Sequence, residues 1–226
     1  TDRLIRIQVG MRRASLTTSA LLSRDGAFDL VYLDVTWTPK LAGAGWLLPL
    51  DDAFDAADRA AFLPQALAAG VFRGRLYRVP FRTDVGLLYY RADLLSQAGI
   101  APPRTFAELE EAARRLQSPP ARWGFLWQGA QYEGLVCFFL EVLHGYGGRW
   151  IDPETLDVGL DRPEAEAALA FLVRARAGGG ISPPGVTAYR EEETRQLFQS
   201  GRAVFLRSWP YVWRLAQRDG SAVAGK

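Results

Sequence analysis

The chain has 226 residues, of which 49% are hydrophobic and 12% aromatic, and its formal net charge is +2. This length is enough for one large domain or for two lobes that each bury a core. The basic residues, nearly all Arg, are scattered and mostly lie near Asp or Glu. Nucleic-acid binding requires a concentrated basic face, so the charge pattern argues against that class of function.

The chain has one cysteine, Cys137, and one histidine, His144. With one of each, a His/Cys zinc site is disfavoured. Cys137 lies in an apolar run, which predicts a buried and inert thiol. His144 lies beside a Gly-rich turn and lacks the supporting context of a nucleophilic triad. We therefore expect no metal and no cofactor.

No apolar run reaches the ~18 residues that a membrane helix needs, since the longest, 135–143, is interrupted by Glu141. No signal peptide is recognisable. The chain starts abruptly, in what reads as the middle of an element, and it ends without a closing helix. We expect it to be an internal piece of a longer protein, incomplete at both termini.

Predicted strands and helices alternate along the chain, which indicates an α/β fold. The apolar run 28–34 predicts a strand that ends in Asp34, the Ala-rich stretch 53–70 is helical in character, and residues 72–77 predict two strand ends joined by a Gly turn. Thr105 and Glu108 form a capping-box pattern that starts a helix ending before residues 119–120. Later segments predict a helix near 161–178, whose apolar positions include Ala165, Leu169 and Leu172, and a strand at 203–206. They also predict a helix over 191–200 with three acids in its first turn, the first of them Glu191. Trp213 is expected to be buried on the helix that follows the strand.

The segment 76–91 joins two apolar runs through a break that contains Pro80 and Asp84. An ionised carboxylate between two buried strands is costly unless a partner hydrogen-bonds to it. Asp84 is therefore a candidate ligand-binding residue where the chain crosses between two lobes.

Several segments, in this order, resemble one family: the extracytoplasmic solute-binding proteins of ABC importers, in the branch that binds maltose, trehalose and related oligosaccharides. The matching segments are 34–37 (DVTW), 45–50 (GWLLPL), 79–91 (VPFRTDVGLLYYR), 127–135 (WQGAQYEGL), 147–148 (GG), 180–183 (GISP) and 198–210 (FQSGRAVFLRSWP).

This resemblance implies a two-lobed periplasmic-binding-protein-like fold of type II, with 1–84 in the N-terminal lobe, 85–226 in the C-terminal lobe, and the cleft and hinge near 81–86. It implies a non-enzymatic function, the capture of a trehalose-, maltose- or sucrose-like α-glucoside in the interlobe cleft for delivery to an ABC importer. The expected partners are an oligosaccharide and the ABC permease subunits, with no nucleic acid. The protein would be a periplasmic or extracytoplasmic monomer, membrane-associated through a lipid anchor outside this chain.

The resemblance also assigns site residues, each with an alternative role. Asp34 and Asp84 would accept hydrogen bonds from sugar hydroxyls. The alternative role of Asp34 is to cap a helix or turn, and that of Asp84 is to form a hinge salt bridge. Trp209 would stack on a pyranose ring, or pack in the core. Trp37 would face the cleft or pack within its lobe. Arg3 resembles an arginine of the family's first helix that reaches the sugar. Arg82 would lie in the cleft, where it would hydrogen-bond a sugar hydroxyl or instead neutralise Asp84.

The sequence also departs from the family pattern, which leaves the sugar open. Arg82 replaces an expected aromatic, Ser208 replaces an expected Asn, and the stretch 8–26 is longer than usual. Two other functions remain as alternatives: a carbohydrate-active enzyme that uses Asp34 and Asp84 as its carboxylate pair, and a receptor for a non-sugar ligand such as a polyamine or peptide.

Overall fold

The computed structural model describes residues 29–226 and the backbone of residues 7–8. The chain divides into two compact units, unit 1 at residues 1–83 and unit 2 at residues 84–226. Both contain helices and strands, which confirms the predicted α/β class.

Among its described residues, unit 1 contains two small two-stranded sheets. Strand β1 (Ile7–Gln8) pairs in parallel with β2 (Leu30–Val31), and β3 (Val71–Phe72) pairs antiparallel with β4 (Arg75–Leu76). The predicted Gly turn is confirmed, because Arg73 and Gly74 close the hairpin with φ angles of 47° and 77°. The predicted strand at 28–34 is shorter than expected, since only Leu30–Val31 is paired among the described residues.

The helices in the described part of unit 1 are short: α1 (Thr38–Gly43), α2 (Ala56–Ala60) and α3 (Pro64–Ala68). The Ala-rich stretch 53–70 is thus helical in two pieces. Leu63 is extended, with φ −60° and ψ 127°, because the ring of Pro64 clashes with a helical residue before it. Pro64 then starts α3, where its missing N–H leaves no intrahelical bond unmade.

Asp51 ties the β3–β4 hairpin to α2. Its carboxylate accepts hydrogen bonds from the Leu76 backbone N–H at 3.2 Å, from Arg59 Nη2 at 3.1 Å and from Arg75 Nε at 3.3 Å. The Leu76 hydrogen bond, followed by those of the two guanidinium groups, outweighs desolvation and lowers the pKa of Asp51.

Unit 2 is built on a three-stranded sheet in the order β5 (Leu87–Tyr90), β7 (Ala203–Ser208), β6 (Trp123–Leu126). The central strand β7 runs antiparallel to β5 and parallel to β6. All six residues of β7 are buried, because neighbouring strands flank both of its edges and apolar clusters cover both of its faces.

Six helices surround this sheet. They are α4 (Ala92–Gln97), α5 (Phe106–Leu116), α6 (Glu133–Gly145), α7 (Pro163–Arg176), α8 (Glu191–Gln199) and α9 (Tyr211–Ala216). Thr105 caps α5 as predicted, since its Oγ1 accepts a hydrogen bond from the Glu108 N–H at 3.1 Å. The core holds four fully buried phenylalanines: Phe125, Phe138, Phe171 and Phe205. None of the helices in the described part of the chain is long and apolar enough to cross a membrane.

Three expectations about burial in unit 2 are wrong. Leu169 is 56% exposed, although its neighbours Ala165 and Leu172 are buried as predicted, because it lies on the solvent face of α7. Trp213 lies on α9 as expected, yet it is 64% exposed. Cys137 is only half-buried on α6.

Candidate ligand-binding site

Asp34 directly precedes a short 3₁₀ turn of unit 1, Val35–Trp37, and Trp37 is the last residue of this turn. Asp34 Oδ1 accepts hydrogen bonds from the Thr36 N–H at 3.0 Å and from Thr36 Oγ1 at 2.9 Å. The side chain of Trp37 is half-buried, and Lys40 Nζ lies 5.9 Å from its ring centroid. Asp34 therefore caps the turn, which was one of its two expected roles, and its contact with a ligand stays a prediction.

Arg82 and Asp84 lie on either side of the boundary between the two units. The Arg82 guanidinium carbon is 5.6 Å from the Tyr32 ring centroid, within unit 1. Asp84 begins unit 2 and is exposed, so the interpretation of a carboxylate buried between strands is wrong. The reason is that β4 ends at Leu76 and β5 begins only at Leu87, which leaves Asp84 in irregular chain in contact with water. Arg3 lies outside the described residues.

Trp209 follows the central strand β7 directly, as the sequence predicts, and its ring is held on two sides. The indole Nε1–H donates a hydrogen bond to Glu191 Oε1, at 3.2 Å, on the first turn of α8. The Arg207 guanidinium carbon lies 4.0 Å from the ring centroid and covers one face. The backbone is fixed too, because the Tyr89 hydroxyl donates to the Trp209 carbonyl at 2.9 Å. The ring is only half-buried, so it keeps surface that a ligand can contact.

Behind Trp209, Arg207 forms an ion pair with Glu141 of α6. Its Nε donates to Glu141 Oε2 at 2.8 Å, and its Nη2 donates to Glu141 Oε1. A guanidinium and a carboxylate joined by two parallel hydrogen bonds form a strong and geometrically specific pair. Arg207 is 3% exposed, and this pairing offsets the cost of burying its charge.

Tyr132, the N-cap residue of α6, lies near the Glu191 carboxylate. Its hydroxyl oxygen is buried and has, among the described residues, no hydrogen-bond partner of good geometry. Burial first, and then the nearby Glu191 carboxylate, raise the pKa of Tyr132, so the hydroxyl stays protonated and neutral. The Arg190 guanidinium carbon lies 4.9 Å from the Tyr132 ring centroid. Trp209, Glu191 and Tyr132 thus form one patch, called the Trp209 patch below.

The Trp209 patch offers a ligand an indole face and a carboxylate, which lie beside the buried, neutral Tyr132 hydroxyl. A sugar or polyol presents C–H groups that pack on an aromatic face and hydroxyls that donate to carboxylates, so these groups are chemically matched to such a ligand. Among the described residues, no group of three or more His, Cys, Asp or Glu could hold a metal ion.

Sequence reasoning found Trp209 but missed the residues that hold it. The sequence pattern predicts Glu191 only as an acid in the first turn of a helix, and Glu141 only as an interruption of an apolar run. The signal that points to Arg207 is a charged residue in a strand whose other members are apolar or small, since a buried charge requires a partner.

Comparison with known proteins agrees with the resemblance seen in the sequence. Residues 13–224 match the family of bacterial extracellular solute-binding proteins. The chain belongs to this family. It therefore has the periplasmic-binding-protein-like fold, as predicted.

Three relatives illustrate the range of this family. The chain is 36% identical over 220 residues to a probable ABC transporter-binding protein of Deinococcus radiodurans, covering 95% of this chain and 51% of the relative. It is 30% identical to a mannitol-binding protein of Pseudomonas aeruginosa, covering 97% of this chain and 49% of the relative. The structure superposes on maltose-bound T. maritima MalE3 with a TM-score of 0.86 and 42% identity, covering 95% of this chain and 54% of that one. The chain thus spans about half the length of these relatives.

Proposed function

We propose that the natural protein containing this chain binds an oligosaccharide of the α-glucoside kind, such as maltose, trehalose or sucrose, and delivers it to an ABC importer. The observation that carries the proposal is Trp209, whose half-buried indole is held by Glu191 at its edge and by Arg207 on one face. A flat aromatic ring fixed beside a carboxylate suits a pyranose, which has an apolar face and a rim of hydroxyls.

Asp34 and Asp84 are proposed as further acceptors for sugar hydroxyls, with Arg82, Trp37 and Arg3 as additional contacts. Hydrogen bonds to charged groups contribute about 1.5–3 kcal/mol each before the loss of association entropy is counted. Two carboxylates and one stacked indole would support a dissociation constant of micromolar order, which corresponds to about −8 kcal/mol.

The relatives support a small carbohydrate or polyol as the ligand. The similar T. maritima structure holds maltose, whereas the Pseudomonas aeruginosa relative is named for mannitol, so a linear polyol is a second candidate ligand. Isothermal titration calorimetry of the natural full-length protein with maltose, trehalose, sucrose and mannitol distinguishes a disaccharide ligand from a polyol ligand. A pyranose ligand predicts binding of at least one disaccharide and weaker binding of mannitol; the reverse order would favour the polyol.

The site assignment is tested by Trp209→Ala, with Trp213→Ala as the matched control. Trp213 is also a tryptophan of unit 2, but it is 64% exposed on α9. We expect Trp209→Ala to weaken disaccharide binding by about tenfold or more, equivalent to about 1.4 kcal/mol. Trp213→Ala should leave the affinity unchanged. Equal affinities for both variants and the wild type would refute the role of Trp209.

The chain is proposed not to be an enzyme, because its named relatives are binding proteins. Prolonged incubation with each disaccharide should therefore yield no cleavage product. Turnover that disappears in Asp84→Asn would instead favour the carboxylate-pair hydrolase.

The protein is proposed to be an extracytoplasmic monomer, held at the membrane by a lipid anchor outside this chain, with ABC permease subunits as its partners. The family is named as extracellular, which supports this location. Cell fractionation tests it, since recovery of the natural protein in the cytosol would contradict the proposed location.

A further inference from the structure

The Arg207 guanidinium lies near two aromatic rings of unit 2. Its guanidinium carbon is 4.0 Å from the Trp209 ring centroid and 6.0 Å from the centroid of Phe138, a core residue of α6. A planar guanidinium stacks on aromatic faces, and such contacts strengthen when the cation is shielded from water, as it is here. Arg207 therefore connects the rigid core to the half-exposed Trp209 ring.

The orientation of this guanidinium is fixed by more than one partner. Nε and Nη2 bind the two carboxylate oxygens of Glu141, and Nη1 donates to Gln128 Oε1 at 3.1 Å. Because all three nitrogens are engaged, rotation of the guanidinium away from Trp209 would break hydrogen bonds in a largely water-free environment.

Gln128 links this arrangement to the second contact of Trp209. It is fully buried, and its Nε2 donates to the Arg207 carbonyl at 3.0 Å and to Thr194 Oγ1 at 2.9 Å. Thr194 Oγ1 in turn donates to the Glu191 carbonyl at 2.9 Å. The same Gln128 thus anchors both the residue that covers the indole face and the helix turn that accepts the indole N–H.

We propose that Arg207 is a positioning residue for the ligand site: through Glu141 and Gln128, it fixes the orientation of the Trp209 indole before a ligand arrives. This proposal rests on the proposed function of Trp209 in ligand stacking. Its consequence is affinity gained by preorganisation, because a ring that is already immobile loses little side-chain entropy on binding.

The perturbation is Glu141→Gln in the natural full-length protein, which keeps the side-chain shape but removes the charge that pairs with Arg207. The first measurement needs no ligand. Trp209 is observed by ¹⁹F NMR after incorporation of 5-fluorotryptophan, and its resonance is assigned by its loss in Trp209→Phe. We expect Glu141→Gln to shift and broaden the Trp209 resonance while the other tryptophan resonances change little.

The matched control is Glu110→Gln. Glu110 also pairs with two arginines, Arg114 at 2.8 Å and Arg174 at 3.2 Å, but these lie on α5 and α7 and not on β7, which carries Arg207. It should leave the Trp209 resonance unchanged. An unchanged resonance in Glu141→Gln, or an equal change in both variants, overturns the proposal whether or not the protein binds sugar.

The second measurement is the affinity for maltose in a double-mutant cycle. In the wild-type background, Glu141→Gln should weaken binding about three- to tenfold, the range expected for ordering one side chain. In the Trp209→Ala background it should have less than about a twofold effect, because the ring it positions is gone. Equal losses in both backgrounds would overturn the proposal, since Glu141 would then act independently of Trp209. Absence of maltose binding in the wild type would instead count against the proposed function, and the NMR result would still decide the positioning role.

Discussion

Substitution of Gly86 by alanine should disturb the Arg207–Glu141 ion pair, because Gly86 packs directly against both side chains. It directly precedes β5, and its φ lies outside the left-handed region, so alanine fits the backbone without strain. A Cβ at this position would lie 2.6 Å from Glu141 Cδ and 2.7 Å from Arg207 Nη2, and closer still to Glu141 Oε1. Since non-bonded carbon atoms prefer about 3.5–4.0 Å, the Glu141 carboxylate would have to move by roughly 1 Å.

The cost of that movement follows from what the carboxylate does. Breaking a buried ion pair by removing one partner costs about 3–5 kcal/mol, whereas a single charge-assisted hydrogen bond is worth about 1.5–3 kcal/mol. The Glu141 side chain is 35% exposed, and Gln128 remains bound to Arg207, so the lower range applies. Gly86→Ala should therefore destabilise the protein by about 1.5–3 kcal/mol, or lower its Tm by about 3–12 °C.

Thermal and urea unfolding followed by circular dichroism measure this effect. Gly178→Ala is the control, because a Cβ there meets no atom within 4 Å and its φ also lies outside the left-handed region. The control should be neutral or slightly stabilising, by up to about 1 kcal/mol. In a Glu141→Ala background the contacts with the carboxylate are absent and only the contact with Arg207 Nη2 remains, so Gly86→Ala should cost less. If Gly86→Ala unfolds like Gly178→Ala in the wild-type background, the close packing of Gly86 against the ion pair is refuted.

Three further predictions concern stability. Leu172→Ala should lower the free energy of unfolding by about 2–4 kcal/mol, and Leu169→Ala on the same helix by less than about 0.5 kcal/mol, as measured by urea unfolding; equal costs would contradict the observed helix face. Thr105→Ala removes the cap of α5 and should cost about 1 kcal/mol, with Thr105→Asn restoring most of it in the same assay. Asp51 has a lowered pKa in the folded state, so its stabilising contribution is present above the ordinary carboxyl pKa and is lost as the pH falls through the lowered value. Melting curves in acid should therefore show a steeper stability loss for the wild type than for Asp51→Asn, and identical acid profiles would contradict the role of Asp51.

The parts of the fold that the sequence predicts well are those with a local physical cause. Thr105 caps a helix because its hydroxyl reaches an N–H three residues on, and Gly74 turns a hairpin because glycine tolerates a positive φ. The side of a helix that meets the core is set by distant packing instead. For this reason the sequence pattern predicts buried side chains for Leu169 and Trp213, although the structure exposes both.

In the candidate site, too, the sequence predicts the residue that has a local signal and misses those that distant packing brings together. Trp209 could be found because it sits in a recognisable segment after a predicted strand. Its supports could not, because Arg207 lies 66 residues from Glu141 and 79 residues from Gln128 along the chain, and only the packing of α6 and β6 against β7 brings them together. A single sequence contains no local signal for such a pairing.

Asp84 and Arg207 show when the cost of a buried charge is a useful guide. Both are charged residues beside apolar runs, and the same argument, that a buried charge requires a partner, applies to each. For Asp84 the argument wrongly predicts a buried carboxylate, because the chain between Leu76 and Leu87 is irregular and Asp84 is exposed. It holds for Arg207, because a residue inside a central strand cannot leave the sheet without breaking the hydrogen bonds on both sides. A charged residue is therefore the stronger indication of a paired, site-supporting role when it lies within a continuous strand rather than at a break between strands.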